Sequence, residues 1–360
     1  ILLYLEPTEL DEIIEDLTSK IKISSSNVKS LILKTIGIAV SHYPKYNDRF
    51  DETILSYDNR LKKMLGILLN GLGDYHIKVK ESSLSVIVKD VFGSKFLNFN
   101  EKHKIFRFIA KKILTIVAEI KDEELLLLTN SAALNYIYRF ISDYTFFNGT
   151  ISLELPQKIA FFPGTFDPFS LSHKEIARSI KNLGYEVYLA VDEFSWSKKT
   201  LPNLLRRNIL AMSVADELDI YIYPKEYPTN IANPNDLKVL KDNFNHIDVY
   251  IVVGSDVVLN ASSYKMKASE NSILTFNHII FERGKNRKLE EASKSIMGKI
   301  EWLTLPPRYS DISSTQIRNY IDENRDISSL IDPLAEEYIY DNGFYQREPM
   351  NKSEITSLWL

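Results

Sequence analysis

The chain contains no cysteine among its 360 residues. Disulfides, thiolate nucleophiles and zinc–thiolate centres are therefore excluded. No apolar run approaches the roughly 20 residues that a membrane-spanning helix needs, so we expect no membrane association. The net charge is only −4, from 44 basic and 48 acidic residues, which does not favour general nucleic-acid binding. Together these features predict a cytoplasmic globular protein.

Proline is scarce in the first part of the chain, where only Pro7 and Pro44 of the 13 prolines occur before residue 150. Because proline is poorly tolerated inside helices, residues 1–150 are predicted to form an all-helical domain. Weak similarity between the segments that begin at Val28 and Val79 is typical of stacked, HEAT-like helix pairs. An irregular helical bundle fits the same pattern.

Residues 151–348 alternate between short apolar runs and amphipathic stretches, as parallel sheets covered by helices do. This pattern predicts an α/β domain with a Rossmann-like, doubly wound parallel sheet. Only 12 glycines occur in the chain, yet Gly164 and Gly254 each follow a predicted strand. We expect the backbone at these strand ends to approach a ligand closely. Because position 1 is Ile, we expect a piece of a longer protein, with residues 349–360 as a tail that continues beyond it.

The first candidate segment for phosphate binding is residues 163–173, with the sequence PGTFDPFSLSH. Gly164 and Thr165 leave a predicted strand, and Ser172 is placed to cap the helix that follows. The start of a helix attracts anions, because its first N–H groups are unpaired and carry partial positive charge. His173 lies in that first turn, so the segment predicts a contact between this histidine and a phosphate.

The second candidate segment is residues 311–318, with the sequence DISSTQIR. It follows another predicted strand and opens another helix, so its hydroxyl and N–H groups are suited to an anion. Arg318 lies four residues beyond Ser314, on the same helix face. Alone, the segment is typical of a helix cap with a surface arginine. Together with the first segment, it indicates a phosphate-binding α/β domain.

The pairing of the two segments resembles the nucleotidyltransferases with the (T/H)xGH signature, and most of all the nicotinate/nicotinamide mononucleotide adenylyltransferases. The resemblance covers residues 157–346, about half the chain. Residues 253–256 are similar to the family's Gly-Ala-Asp loop, and residues 281–284 to its Arg-Pro-Gly strand end. The resemblance implies transfer of an adenylyl group from ATP to the 5′-phosphate of nicotinate or nicotinamide mononucleotide. Pyrophosphate would leave, and Mg²⁺ would bridge the phosphates.

The resemblance also implies roles for particular residues. His173, Ser170 and Arg318 would be catalytic: His173 at the α-phosphate, and Arg318 with Ser313 and Ser314 at the phosphates that leave. The other implied nucleotide-binding residues are Gly164, Thr165, Phe166, Asp167, Gly254, Asp256, Ile312 and Thr315. Weaker candidates for substrate binding are Lys199, Arg206, Arg207, Trp196, Tyr264 and Arg283; for the lysine and the two arginines near position 200, a solvated basic patch is the alternative. No protein cage of carboxylates is evident for the metal.

Two positions depart from the family's pattern. Ser170 replaces the usual Thr or His, and Ser172 places a side chain where the family has glycine. These changes keep three alternatives open: a nucleotide-binding module without activity, a protein-interaction scaffold built on the helical half, and a cytidylyltransferase for another phosphate ester. The sequence does not decide whether the helical half has a protein partner or whether the chain forms a homo-oligomer.

Overall fold

The computed structural model describes residues 2–50, 52–118, 124–151, 153, 155–192, 200–244, 247–282 and 287–346. Within these ranges the first half of the chain is helical, and no strand occurs before Lys158. The predicted helical region is therefore confirmed. The predicted tail, residues 349–360, lies outside the described residues, and the division into domains stays a prediction.

The helices of the first half pack around a single apolar core. The second half of α4 is its centre, because every residue from Met64 to Gly73 is buried there and the helix packs against α1, α2, α5 and α6. Whether the helix pairs are HEAT-like repeats stays a prediction. The helices are α1 (Pro7–Ile23), α2 (Ser26–His42), α3 (Pro44–Phe50), α4 (Ile54–Gly73), α5 (Ile77–Ser85, followed by π-helical Val86–Phe92), α6 (Phe99–Ala118) and α7 (Glu124–Asn148).

The second half contains a six-stranded sheet in which all strand pairs are parallel and the order is β3-β2-β1-β4-β5-β6. The predicted Rossmann-like sheet is confirmed. Its central strands are almost continuously apolar because helices cover both faces. The strands are β1 (Lys158–Gly164), β2 (Glu186–Val191), β3 (Ile220–Ile222), β4 (Asp248–Gly254), β5 (Asn277–Glu282) and β6 (Ile300–Thr304).

Eight helices accompany these strands among the described residues. One of these helices begins at Asn203 and ends at Val214. The chain turns there because Ala215 and Leu218 pack into the apolar core of the first half. The helices are α8 (Leu171–Asn182), α9 (Asn203–Val214), α10 (Pro234–Asn243), α11 (Ser255–Asn260), α12 (Arg287–Ser293), α13 (Pro307–Ser310), α14 (Ser314–Asp322) and α15 (Pro333–Asp341).

The strand order places a crevice between β1 and β4. The chain moves outward from β1 to β2 and β3, then returns to β4 on the other side of β1. Ligands of such sheets bind at this point, beyond the carboxyl ends of the two strands. Here those ends are Gly164 and Gly254. In the described part of the chain, no helix has the length and apolar character to span a membrane.

Candidate active site

A cavity of about 500 Å³ opens beyond the carboxyl ends of β1 and β4. Both candidate segments contribute to its wall, as the sequence predicts. The predicted site residues that line it are Gly164, Thr165, Phe166, Asp167, His173, Gly254, Asp256, Ser313, Ser314, Thr315 and Arg318.

One wall of the cavity is the start of α8, where Ser170 and His173 cap the helix reciprocally. The Ser170 Oγ accepts from the His173 N–H at 3.4 Å, and the Ser170 N–H donates to the His173 Nδ1 at 3.1 Å. A backbone N–H can only donate, so Nδ1 must accept. In the neutral ring the proton is therefore on Nε2, and the helix cap sets the orientation of the imidazole.

Aromatic rings hold the imidazole from several sides. Phe169 stacks on His173 with ring centroids 5.5 Å apart, and Phe166 meets the same ring edge-on at 5.2 Å. Phe162 adds a second edge contact at 6.3 Å. These contacts restrict rotation of the imidazole, so the histidine is placed before any ligand arrives.

The two serines that depart from the family's pattern do not line the cavity. Ser170 is 1% exposed and caps α8 behind His173, so its hydroxyl is not at the surface of the cavity. A catalytic role for Ser170 stays a prediction. Ser172 is fully buried, and its Oγ has no hydrogen-bond partner among the described residues. Ser172 is not among the described residues that line the cavity.

The opposite wall is the start of α14, which is tied to the loop between β1 and α8. The Ser314 Oγ donates to the carbonyl of Pro168 at 2.8 Å. Arg318 donates to the carbonyl of Asp167 and, through Nη2, to the Thr315 Oγ1 at 3.2 Å. The two candidate segments, 138 or more residues apart in sequence, thus contact each other directly.

Asp167 connects this wall to the end of the described chain. Its carboxylate is buried, and its Oδ1 accepts from the Leu201 N–H at 3.2 Å and from the Tyr345 hydroxyl at 2.8 Å. Burial and the adjacent Asp167 raise the pKa of Tyr345, which keeps its hydroxyl protonated as a donor. Sequence reasoning missed Tyr345 because no motif surrounds it.

The two strand-end glycines allow close approach of neighbouring side chains. A Cβ on Gly164 would lie 2.7 Å from the ring of Phe166. A Cβ on Gly254 would lie 2.4 Å from the Asp256 Oδ1 and 3.1 Å from the ring of Phe281. In the described structure the space beside each glycine is therefore filled by the protein itself, which differs from the expected close approach of a ligand.

The predicted substrate-binding arginines of α9 are buried and do not line the cavity. Arg206 donates to the carbonyls of Thr165 at 2.5 Å and Asp192 at 3.0 Å, and Arg207 to that of Tyr223 at 2.9 Å. Both alternatives, a phosphate contact and a solvated patch, are thus wrong for these two side chains. Carbonyls at the ends of β1, β2 and β3 need donors once buried, and these guanidinium groups supply them.

Tyr264 also belongs to the core and not to the cavity. It is 5% exposed, and its hydroxyl lies 2.9 Å from the His278 Nε2. The His278 Nδ1 must donate to the carbonyl of Phe276 at 2.9 Å, so Nε2 accepts from the tyrosine. Burial lowers the pKa of His278 to about 4, which keeps the ring neutral. Tyr264, a weaker candidate for substrate binding in the sequence, therefore does not line the cavity.

The remaining predicted residues fall into two groups. Ile312 is buried with Ile317 and Ile327 in an apolar cluster, where it anchors the start of α14 and does not line the cavity. Lys199, Trp196 and Arg283 lie outside the described residues. Lining residues that the sequence did not suggest include Asp192, Thr200 and the loop 229–232. Asp192 and this loop follow β2 and β3, so strand-end position could have indicated them.

In the described part of the chain, the carboxylates that line the cavity come from separate strand ends. Asp167 follows β1, Asp192 follows β2 and Asp256 follows β4. Within the described ranges, no three His, Asp or Glu side chains are grouped as metal ligands would be. This donor set suits a cation that takes most of its oxygen ligands from a substrate's phosphates and from water.

Known proteins match the half of the chain that carries this cavity. Residues 161–320 match the family model described as cytidylyltransferase-like. A protein of Caldicellulosiruptor saccharolyticus named "Probable nicotinate-nucleotide adenylyltransferase" is 28% identical over 202 residues, which are 52% of this chain and 99% of that protein. A protein of the same name from Clostridium perfringens is 27% identical over 214 residues, 53% of this chain and 100% of its own.

A solved structure also matches. It is the nicotinic acid mononucleotide adenylyltransferase of Plasmodium falciparum complexed with APC, with 23% identity and a TM-score of 0.43. The match covers 52% of this chain and 97% of the other. Both sequence relatives are thus little more than half as long as this chain.

Proposed function

We propose that this chain, whose residues 161–320 match the cytidylyltransferase-like family model, is a nucleotidyltransferase that transfers an adenylyl group from ATP to nicotinate mononucleotide. The observation that carries the proposal is that His173, in the first turn of α8, and Arg318, in the second turn of α14, line one cavity at the β1–β4 crevice. The choice of ATP and of this acceptor follows the names of the two sequence relatives.

The reaction requires no protein nucleophile. An oxygen of the acceptor's 5′-phosphate attacks the α-phosphorus of ATP, the bond from that phosphorus to the bridging oxygen breaks, and pyrophosphate leaves. Catalysis of such a step rests on positioning and on stabilising the charge of the phosphoryl oxygens. The absence of cysteine and the burial of Ser170 are compatible with that chemistry.

His173 acts at the α-phosphate in this proposal. Its Nδ1 is occupied by the Ser170 N–H, so Nε2–H is the donor that the ring presents. The first turn of α8 adds partial positive charge at the same place. The Nε2–H donor and the helix start both stabilise the negative charge that grows on the oxygens of the α-phosphate in the transition state.

Arg318 and the cap of α14 hold the β- and γ-phosphates. Ser313 and Thr315 supply hydroxyl donors, and the first residues of the helix supply N–H groups, at a place where anions are favoured. The Ser314 hydroxyl already donates to the carbonyl of Pro168. Arg318 is held by Asp167 and Thr315. Because these contacts restrict the side chain, less rotamer entropy is lost when its guanidinium binds phosphate.

Mg²⁺ fits the cavity as a partner of the triphosphate. When bound, it neutralises charge on the phosphate oxygens. Of the residues that line the cavity, Asp256 and Asp192 would contact it directly or through water. The chain's own contribution is then to orient the triphosphate between α8 and α14.

A substrate panel tests this function. Pyrophosphate release is measured with ATP or CTP, each combined with nicotinate mononucleotide, nicotinamide mononucleotide or a non-nucleotide phosphate ester. We expect the highest kcat/KM with ATP and nicotinate mononucleotide, and no release without an acceptor. Preference for CTP with the phosphate ester would indicate a cytidylyltransferase instead. ATP binding without turnover on any acceptor would indicate a nucleotide-binding module.

A further inference from the structure

The residue that follows His173 is anchored in a buried cluster of charges. Lys174 is 2% exposed, and its Nζ lies 3.0 Å from the Asp332 Oδ2 and 3.3 Å from the Asp216 Oδ1. Lys174 is in the first turn of α8, whereas Asp332 precedes α15 and Asp216 follows α9. The first turn of α8 is therefore held on the side away from the cavity as well as at its cap.

A lysine from the helical half completes this cluster. The Lys22 Nζ, on α1, lies 2.8 Å from the Asp332 Oδ2 and 2.8 Å from the Asp216 Oδ2. Each lysine thus forms ion pairs with both aspartates, and the two positive charges balance the two negative ones. We refer to Lys22, Lys174, Asp216 and Asp332 as the ionic junction. Burial alone would raise the pKa of Asp216, but Lys174 and Lys22 hold it well below its usual range.

Other charged groups surround the ionic junction without replacing Lys22. Glu217 lies 4.0 Å from the Lys174 Nζ and pairs with Arg178 and with Lys181 at 2.8 Å, all from α8 or the turn after α9. Lys112 of α6 donates instead to the carbonyls of Val214 and Ile220. Among the described residues, Lys22 is thus the cation that the helical half brings into direct contact with Asp216 and Asp332.

Helix α15 extends this connection to the other wall of the cavity. Asp332 caps the helix by accepting from the Leu334 N–H at 3.1 Å. Further along α15, Glu337 lies 3.2 Å from the Nζ of Lys29, which belongs to α2 of the helical half. Just beyond the helix, Tyr345 donates to Asp167. The segment of α15, held by the helical half, is therefore connected through Asp332 to α8, which carries His173, and through Tyr345 to Asp167, whose carbonyl accepts from Arg318.

We propose that Lys22 is a positioning residue for nucleotidyl transfer, which keeps His173 in place by balancing the charge of the ionic junction. Without Lys22, two buried carboxylates would compete for Lys174, and uncompensated buried charge is strongly unfavourable. The junction would rearrange or admit water, and the first turn of α8 would move with Lys174. The helical half is then a structural part of the catalytic unit. The kinetic part of this inference rests on the proposed function.

Kinetics of Lys22→Met, with Lys20→Met as the matched control, test the proposal. Lys20 is two residues away on the same helix but is exposed and pairs with Asp16 within α1. A displacement of about 1 Å at a reacting group can cost ~100-fold in rate, so we expect Lys22→Met to lower kcat by about 10- to 100-fold. The KM for ATP should change by less than about 3-fold, because α14 stays intact. Lys20→Met should match the wild type, and equal kcat values for all three proteins would overturn the proposal.

A charge-balanced pair separates positioning from lost packing. Asp216→Asn alone leaves two lysines with one aspartate, so it should lower kcat as Lys22→Met does. The double variant Lys22→Met/Asp216→Asn removes one charge of each sign and leaves the Lys174–Asp332 pair. We expect its kcat to recover to within roughly 3-fold of the wild type, an interaction between neighbouring sites that a double-mutant cycle detects. A double variant as slow as the product of the single effects would overturn the charge-balance account.

Amide hydrogen exchange tests positioning without turnover. In Lys22→Met, peptides that cover residues 170–176 should exchange at least about 10-fold faster than in the wild type, because local opening of α8 becomes easier. Peptides within α14 should keep their rates, and Lys20→Met should show no change. If the wild type turned over no substrate, the proposed function would fail while this readout still decided the role of Lys22. Unchanged exchange in α8 of folded Lys22→Met would overturn that role.

Discussion

Arg318 donates to the backbone carbonyl of Asp167, and its Nη1 also lies 3.7 Å from the Oδ2 of the same residue. The two residues are on opposite walls of the cavity, one on α14 and one in the loop after β1. The guanidinium thus connects the wall that would hold the leaving phosphates to the loop that leads into α8. Any ligand held by Arg318 is therefore placed relative to His173 by contacts between α14 and this loop.

Replacement of Arg318 should weaken ATP binding more than it slows the chemical step. A hydrogen bond to a charged group is worth roughly 1.5–3 kcal/mol, so Arg318→Ala should raise the KM for ATP by about 10- to 150-fold. Arg318→Lys keeps the charge but not the planar guanidinium, so its KM for ATP should lie between those of the wild type and Arg318→Ala. Steady-state kinetics with ATP as the varied substrate measure KM and kcat for each variant.

The matched control for Arg318 is Arg325, an exposed arginine that stacks on Tyr320 and pairs with Glu323. Arg325→Ala should leave the KM for ATP within about 2-fold of the wild type, since exposed ion pairs contribute little. If Arg318→Ala behaved like Arg325→Ala, Arg318 would not hold the triphosphate.

Loss of the Tyr264 hydroxyl should destabilise the fold and leave the substrates' KM values unchanged. Tyr264→Phe removes the donor to the buried His278 Nε2, and an unsatisfied buried acceptor costs about 1–3 kcal/mol. Urea unfolding measures the free energy of unfolding, with the more exposed Tyr340→Phe as control. A rise in the KM for the acceptor without loss of stability would indicate that Tyr264 contacts the substrate.

Lys112 should make the stability of the protein depend on pH. Burial lowers its pKa from 10.5 to about 7, so between these values the unfolded chain binds a proton that the folded chain does not. The free energy of unfolding therefore rises with pH in this range. From pH 7 to pH 9 the gain should be roughly 2 kcal/mol larger in the wild type than in Lys112→Met. Equal pH slopes for the two proteins in urea unfolding would contradict a lowered pKa.

The sheet and the meeting of the two candidate segments were predictable because both depend on local patterns. Alternation of apolar runs and helices specifies a parallel sheet, and strand ends in such a sheet share one edge. The structure confirms that the segments around Gly164 and Ser313 line the same cavity. The helix caps are also local features, and Ser313 does cap α14. The predicted cap of α8 is wrong by two residues, because Ser170 caps that helix and Ser172 lies inside it.

The errors concern polar side chains whose partners are distant in sequence. Arg206 follows the pattern of an exposed helix residue, but the carbonyls it binds belong to the ends of β1 and β2. Lys22 likewise lies on an amphipathic helix, and its partner Asp332 is 310 residues away. Whether a charged side chain is buried depends on how the helices and strands pack against each other. The spacing and composition of the sequence therefore do not predict which carbonyl or carboxylate will be its partner.

Turnover of His173→Ala at saturating ATP and nicotinate mononucleotide tests the central claim, that this cavity catalyses adenylyl transfer through His173. Loss of one donor to the charge that develops in a transition state typically costs ~10²–10³ in kcat. We therefore expect kcat for pyrophosphate release to fall by about that factor, while the KM for ATP changes little because Arg318 and α14 are intact. Wild-type kcat in folded His173→Ala would contradict the claim.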